Sequence, residues 1–226
     1  SFSFGGDGLH LPPNLNSFSL GWATLDTDTI PFDMARALPN PENLKLFSLQ
    51  NVSLRHPISG SMGKYNSLKT MELKNVDGFI LHPSFWADCP VLERLEVSGN
   101  VGAGTGKEIP FFGLGSTLPG TLTHIHISRM NVQTLPSSVC ACRNLESLTV
   151  TSCSLRALPE GLHLLTKLRN ISVANHELNL QGLLPFAQCG PILAARASDG
   201  EHFAISLFGN PLPDDCPSVA DELVAY

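Results

Sequence analysis

The chain has 226 residues, 42% of them hydrophobic, enough to bury a substantial core in one domain or two small ones. Only 15% are charged, below the roughly 25% of an average soluble domain, and the net charge is −6, which argues against a nucleic-acid partner. No apolar run reaches the roughly 18 residues of a membrane span; the nearest, "GLLPFAQCGPILAA", is broken by Gln188 and two prolines. The opening "SFSFGG" shows neither Met nor a basic-then-apolar leader, as expected of a mature product or a fragment.

Taken in chain order, the first predicted strand is a weak apolar triplet, Leu15, Phe18 and Leu20. Six segments then share one phase: "NLKLFSLQNVSL", "SLKTMELKNVDG", "VLERLEVSGNVG", "TLTHIHISRMNV", "NLESLTVTSCSL" and "KLRNISVANHEL". Their lead residues, Leu44, Leu68, Leu92, Leu122, Leu145 and Leu168, are spaced by 24, 24, 30, 23 and 23. Each lead is followed at +3 and +5 by an apolar residue: Phe47 and Leu49, Met71 and Leu73, Leu95 and Val97, Ile125 and Ile127, Leu148 and Val150, Ile171 and Val173. A last weak unit holds Ile205 and Leu207 and runs into "GNPL". The alternation predicts a short strand in every unit. One such unit cannot bury its apolar face alone, so eight stacked coils with parallel strands are expected.

The pattern L-x-x-L-x-L-x-x-N-x-L resembles the leucine-rich repeat family, from about Leu11 to about Pro217. That resemblance implies an α/β solenoid shaped as a horseshoe, strands on the concave face and loops and short helical turns on the convex one. It also implies a single domain over 1–226, with 1–10 and 218–226 as terminal segments. Two units carry the family's L-P-x-x-L/V continuation, Leu135 to Val139 and Leu158 to Leu162. The ninth position departs from the family's asparagine: it holds Ala23, Val52, Val76, Asn100, Met130, Cys153, His176 and Asn210, so apolar plugs are expected to fill most turns. His176 is expected to be buried and hydrogen-bonded in the asparagine's place.

The interior unit with the 30-residue period contains "VGAGTGKEIPFF", the stretch that looks most like a phosphate loop. A P-loop ending at Gly106 and Lys107 needs glycine where Val101 stands and Ser or Thr where Glu108 stands; a dinucleotide fingerprint needs glycine at Lys107. Both templates fail, so the segment reads as a lengthened return loop, open to a partner contact and without a nucleotide. No nucleophile elbow, H-E-x-x-H or paired C-x-x-C occurs. The reading is therefore non-enzymatic, with no cofactor and no metal. Cys89 and Cys142 precede lead leucines by three, an apolar slot, and are expected to be buried thiols. A disulfide between Cys189 and Cys216 is conceivable, and N-x-S/T sequons stand at Asn51 and Asn170.

Residues at +2 and +4 after each lead face away from the core. At +2 they run Ser17, Leu46, Thr70, Arg94, His124, Ser147 and Asn170; at +4, Ser19, Ser48, Glu72, Glu96, His126, Thr149 and Ser172. The ends are short and neutral and the middle is charged. Glu72, Arg94, Glu96, His124, His126 and the nearby Arg129 are the candidate ligand-binding residues, with Arg94 foremost because its planar fork can pair bidentately with an acid. Glu96 is expected to hold Arg94 and to neighbour His126, and binding to respond between about pH 5 and 7 as the histidines titrate. A merely solvated strand face is the plain alternative. The function expected is recognition of a protein, peptide or glycan, by a secreted or cell-surface ectodomain or alternatively by an intracellular signalling scaffold.

Overall fold

The structure is a computed structural model, and it describes residues 14–25, 41–54, 64–77, 83–99, 117–174, 177–189 and 204–211. These form two compact units. The first carries β1 (Ser17–Leu25), β2 (Leu46–Leu54), β3 (Thr70–Asp77) and β4 (Arg94–Ser98). The second carries β5 (His124–Ser128), β6 (Ser147–Thr151), β7 (Asn170–Ala174), the helix α1 (Leu180–Ala187) and β8 (Ala204–Ser206). Within each unit the strands follow chain order and pair in parallel.

The repeat phase appears directly in the hydrogen bonds. In coil after coil the carbonyl one residue past the lead accepts two N–H groups from the next coil: Asn16 from Lys45 and Leu46, Lys45 from Lys69 and Thr70, Lys69 from Glu93 and Arg94. Thr123 takes Glu146 and Ser147, and Glu146 takes Arg169 and Asn170, in the same way. The strands thus stay in register whether the coil between them is 23, 24 or 29 residues long, and the +3 and +5 residues of neighbouring strands stack. Leu145, Leu148 and Val150 are fully buried, as are Met71, Leu73, Ile125 and Ile127. The outermost strands are looser: Phe18, Leu20, Ile205 and Leu207 are half-buried. Phe18 stacks its ring on Phe47, centroids 5.7 Å apart.

The approach to each strand is a chain of tight turns. Lead N–H groups reach back three residues, Leu68 to Tyr65, Leu92 to Cys89, Leu145 to Cys142 and Leu168 to Leu165. Cys89 and Cys142 fill this slot fully buried, as expected. The L-P-x-x-L/V segments open 3-10 turns at Ser137–Ala141 and Glu160–Leu164. Pro136 and Pro159 stand just before them in extended backbone, where a missing N–H costs nothing. Their carbonyls accept from Val139 and Leu162, both buried. Asn179 caps α1 by accepting the Gly182 N–H at 2.9 Å. Gly182 has no room for a side chain, which would run into the Arg156 carbonyl, so the helix is seated on the coil before it.

The backbone makes a shared left-handed turn that the leucine pattern does not announce, inside β2 and β3 and just past the ends of β5 and β6. Seven residues past each lead, Asn51, Asn75, Arg129 and Ser152 hold φ between 52° and 54°, and Gly209 follows at 73°. Such backbone suits Gly and Asn best. The next position, the ninth, is plugged by Val52 and Cys153, both buried, and by Val76 and Met130, both half-buried. Cys153 partly replaces the asparagine, its Sγ lying 3.3 Å from the Thr151 carbonyl. Asn210 plays the part in full with its amide, donating to Val173 O at 2.8 Å and Leu207 O at 2.7 Å. His176 and the segment "VGAGTGKEIPFF" lie outside the described residues.

Candidate recognition face

Parallel pairing aligns the outward residues in rows. In the first unit Ser17, Leu46, Thr70 and Arg94 share one row and Ser19, Ser48, Glu72 and Glu96 the next. A third row follows: Gly21, Gln50, Lys74 and Ser98. In the second unit the rows are His124, Ser147, Asn170 and Ala204, then His126, Thr149, Ser172 and Ser206, then Ser128, Thr151 and Ala174.

Register puts Glu72 directly opposite Glu96, an unfavourable pairing of like charges about 4.8 Å apart in strand spacing. Lys74 resolves it. Its ammonium lies 3.0 Å from Glu96 Oε1 and 3.5 Å from Glu72 Oε2, and the Ser48 hydroxyl donates to the same Glu72 oxygen at 3.2 Å. Burial works against the lysine's charge, but the hydrogen bond and charge of Glu96, then those of Glu72, prevail and hold its pKa above the ordinary 10.5. Ser48 is 3% exposed although its side chain belongs to the outward row. The sequence reading missed Lys74 because it stopped at +4; alternation carried to +6 would have found it.

The expected Glu96–Arg94 pairing is therefore corrected: Glu96 is bonded to Lys74. Lys74 stands two residues past Glu72 on β3 and diagonal to Glu96 on β4, and its ammonium serves both carboxylates at once. The Arg94 side chain is exposed and makes no hydrogen bond or ion pair among the described residues. His124 and His126 are half-buried in the second unit, and His124 Nδ1 lies 2.9 Å from the Thr123 hydroxyl. Arg129 is exposed but leaves the rows, since it occupies the left-handed turn that closes β5, its N–H bonded to Thr151 O.

The two sequons differ in setting. Asn51 sits in the left-handed turn of β2 and accepts from Asn75 Nδ2 at 2.9 Å, while Asn170 is exposed on β7. Cys189 is a buried free thiol whose Sγ lies 3.9 Å from Pro185 O, and Cys216 lies outside the described residues. Burial, with the nearby Cys140, pushes the Cys189 thiol up to about 11, and Cys142 likewise. Cys89 is pushed higher still, by burial and then by Asp88. Such thiols are poor nucleophiles at neutral pH. Among the described residues no three His, Cys, Asp or Glu side chains gather as metal ligands would, and no helix is long and apolar enough to cross a membrane.

In an alignment of 181 positions that covers 71% of its length, the chain is 30% identical to TMV resistance protein N of Nicotiana glutinosa. It is similar to a resistance protein. The matched stretch spans 15% of the length of that relative. No protein-family model matches the chain.

Proposed function

We propose that this chain is a non-enzymatic recognition module of the leucine-rich repeat type, a horseshoe of about eight coils whose outward strand face binds a protein partner. The observation that carries the reading is the row structure. Parallel register displays Glu72, Arg94 and Glu96 on one unit and His124 and His126 on the other, away from the leucine core. Similarity to TMV resistance protein N supports a role in signalling through protein contacts. Peptide and glycan ligands remain within the same chemistry, and no finding favours the secreted or cell-surface form. The free, buried thiols of Cys89, Cys140, Cys142, Cys153 and Cys189 support the intracellular scaffold instead, because oxidising compartments favour paired cysteines.

The test is affinity capture from native extract with the parent chain and with three variants. Arg94→Ala and His126→Ala change the outward face, and Glu160→Ala changes an exposed residue of a 3-10 turn. A protein retained by the parent and by Glu160→Ala, and lost with either outward-face variant, is the expected result. Capture that ignores both outward-face changes and fails with Glu160→Ala would overturn the assignment of the face.

A further inference from the structure

Among the described side chains, the outward rows of the first unit carry four charged groups, Glu72, Lys74, Arg94 and Glu96, and three of them answer one another. Lys74 is shared between Glu72 and Glu96 at 3.5 and 3.0 Å, which leaves that group with one net negative charge. Arg94 stands two residues before Glu96 on β4, roughly 6.6 Å along the strand, and its guanidinium is exposed and unengaged among the described residues. Along its row the in-register neighbours are Thr70 and then Leu46, both half-buried. Leu46 is the apolar member of a row otherwise made of Ser17, Thr70 and Arg94. The row therefore offers a cation, a hydroxyl and an isobutyl group in sequence.

We infer that this row holds an extended segment of a protein partner in which an Asp or Glu and an aliphatic or aromatic residue stand three positions apart. The inference rests on the reading of the outward face as a recognition surface and names the chemistry of its partner. Arg94 and Leu46 are two strand spacings apart, roughly 9.6 Å, and an extended segment in polyproline-II conformation, with three residues per turn and a rise of about 3.1 Å per residue, sets side chains three positions apart on one face at about that distance. The acid pairs bidentately with the Arg94 fork, and the apolar side chain covers Leu46. The net negative charge held at Glu72, Lys74 and Glu96 opposes any anion at Arg94 and opposes a dianionic phosphate twice over, which is the ground for expecting a carboxylate there.

The experiment pans a phage-displayed random dodecapeptide library against the immobilised full chain and measures enriched peptides by fluorescence anisotropy. Enriched sequences are expected to share Asp or Glu three residues from Leu, Ile, Val, Met or Phe. Arg94→Ala should weaken them at least tenfold and Leu46→Ser several-fold, with both variants melting as the parent does. Arg94→Glu should recover binding to a peptide whose acid is changed to Lys, and phosphoserine in place of the acid should bind more weakly. Peptides without that spacing, binding unchanged by Arg94→Ala, tighter binding of phosphoserine, or no retained peptide each overturn the inference. If retained peptides respond to His126→Ala and not to Arg94→Ala, the recognition reading stands and this one falls.

Discussion

The outward faces of β1–β4 and β5–β8 rest on the same alternation, yet one carries a lysine clasped by two carboxylates and the other carries imidazoles among hydroxyls and an amide. The third outward row runs through both units, since Ser98, Ser128, Thr151 and Ala174 hold it on five-residue strands as Lys74 does on β3. Residue identity, not strand length, therefore decides electrostatics here. Glu72 opposite Glu96 is tolerable because the third row brings an ammonium between them. Among the described residues of the second unit the rows hold no carboxylate that needs such a partner, and His124, Ser147, His126 and Thr149 offer hydrogen-bonding groups instead.

The largest expected effect breaks the part that the units share. Leu148→Asp places a carboxylate at a fully buried +3 position of β6 with no partner, and should cost several kcal/mol by chemical denaturation. The same change at Leu20, half-buried on β1, should cost well under half as much. Equal losses would mean that the outer strand is as tightly packed as the middle ones, and an unchanged Leu148→Asp melt would sink the repeat phase itself.

That phase was legible in the sequence because it depends on one interaction repeated many times. Six leads with apolar residues at +3 and +5 specify which side of each strand is buried, and the carbonyl at +1 accepting two N–H groups follows from aligning those leads, whatever the length of the loop between them. The L-P-x-x-L/V turns were legible for a similar reason, since proline fixes the backbone just before each 3-10 turn. What escaped were features set by neighbours. Alternation carried to +6 places Lys74 on the outward face, but nothing local to it says which carboxylates it will meet. Nothing local to Glu96 says that its acid partner Glu72 lies opposite and will draw the lysine in place of Arg94. The left-handed turns had a local signal, asparagine at positions 51 and 75, but Arg129 and Ser152 at the same place hid the series.

A middling effect tests the charge clasp that separates the units. Lys74→Met should destabilise the chain by about 1 kcal/mol at pH 7, combining a lost half-exposed ion pair with the uncovered repulsion of Glu72 and Glu96. Adding Glu72→Gln should return most of it. The pH dependence has a definite sign. Lys74 has its pKa raised above 10.5 in the folded chain, so its contribution is complete below 10.5 and is lost as pH climbs through the folded value. Stability curves of parent and Lys74→Met should therefore converge above pH 10.5. A constant gap across that range would show that the methionine acts through packing and that the clasp contributes nothing.

The smallest effect asks whether the units also differ in their left-handed turns. At φ 54° Arg129 pays the steric penalty of the left-handed region, and its side chain has no bond among the described residues that would offset it. Arg129→Gly removes that penalty but loosens the unfolded chain, and the net gain should be about 0.5 kcal/mol. Asn51 stands in the same conformation, but its side chain accepts from Asn75 at 2.9 Å, so Asn51→Gly removes a bond between coils and should lose about 0.5 to 1 kcal/mol. Opposite signs at equivalent positions would establish that the first unit ties its turns together through asparagine side chains while the second leaves them strained. Should Arg129→Gly instead lose 1 kcal/mol or more, the arginine makes contacts that favour its strained backbone, and its place outside the outward rows would no longer separate it from the recognition face.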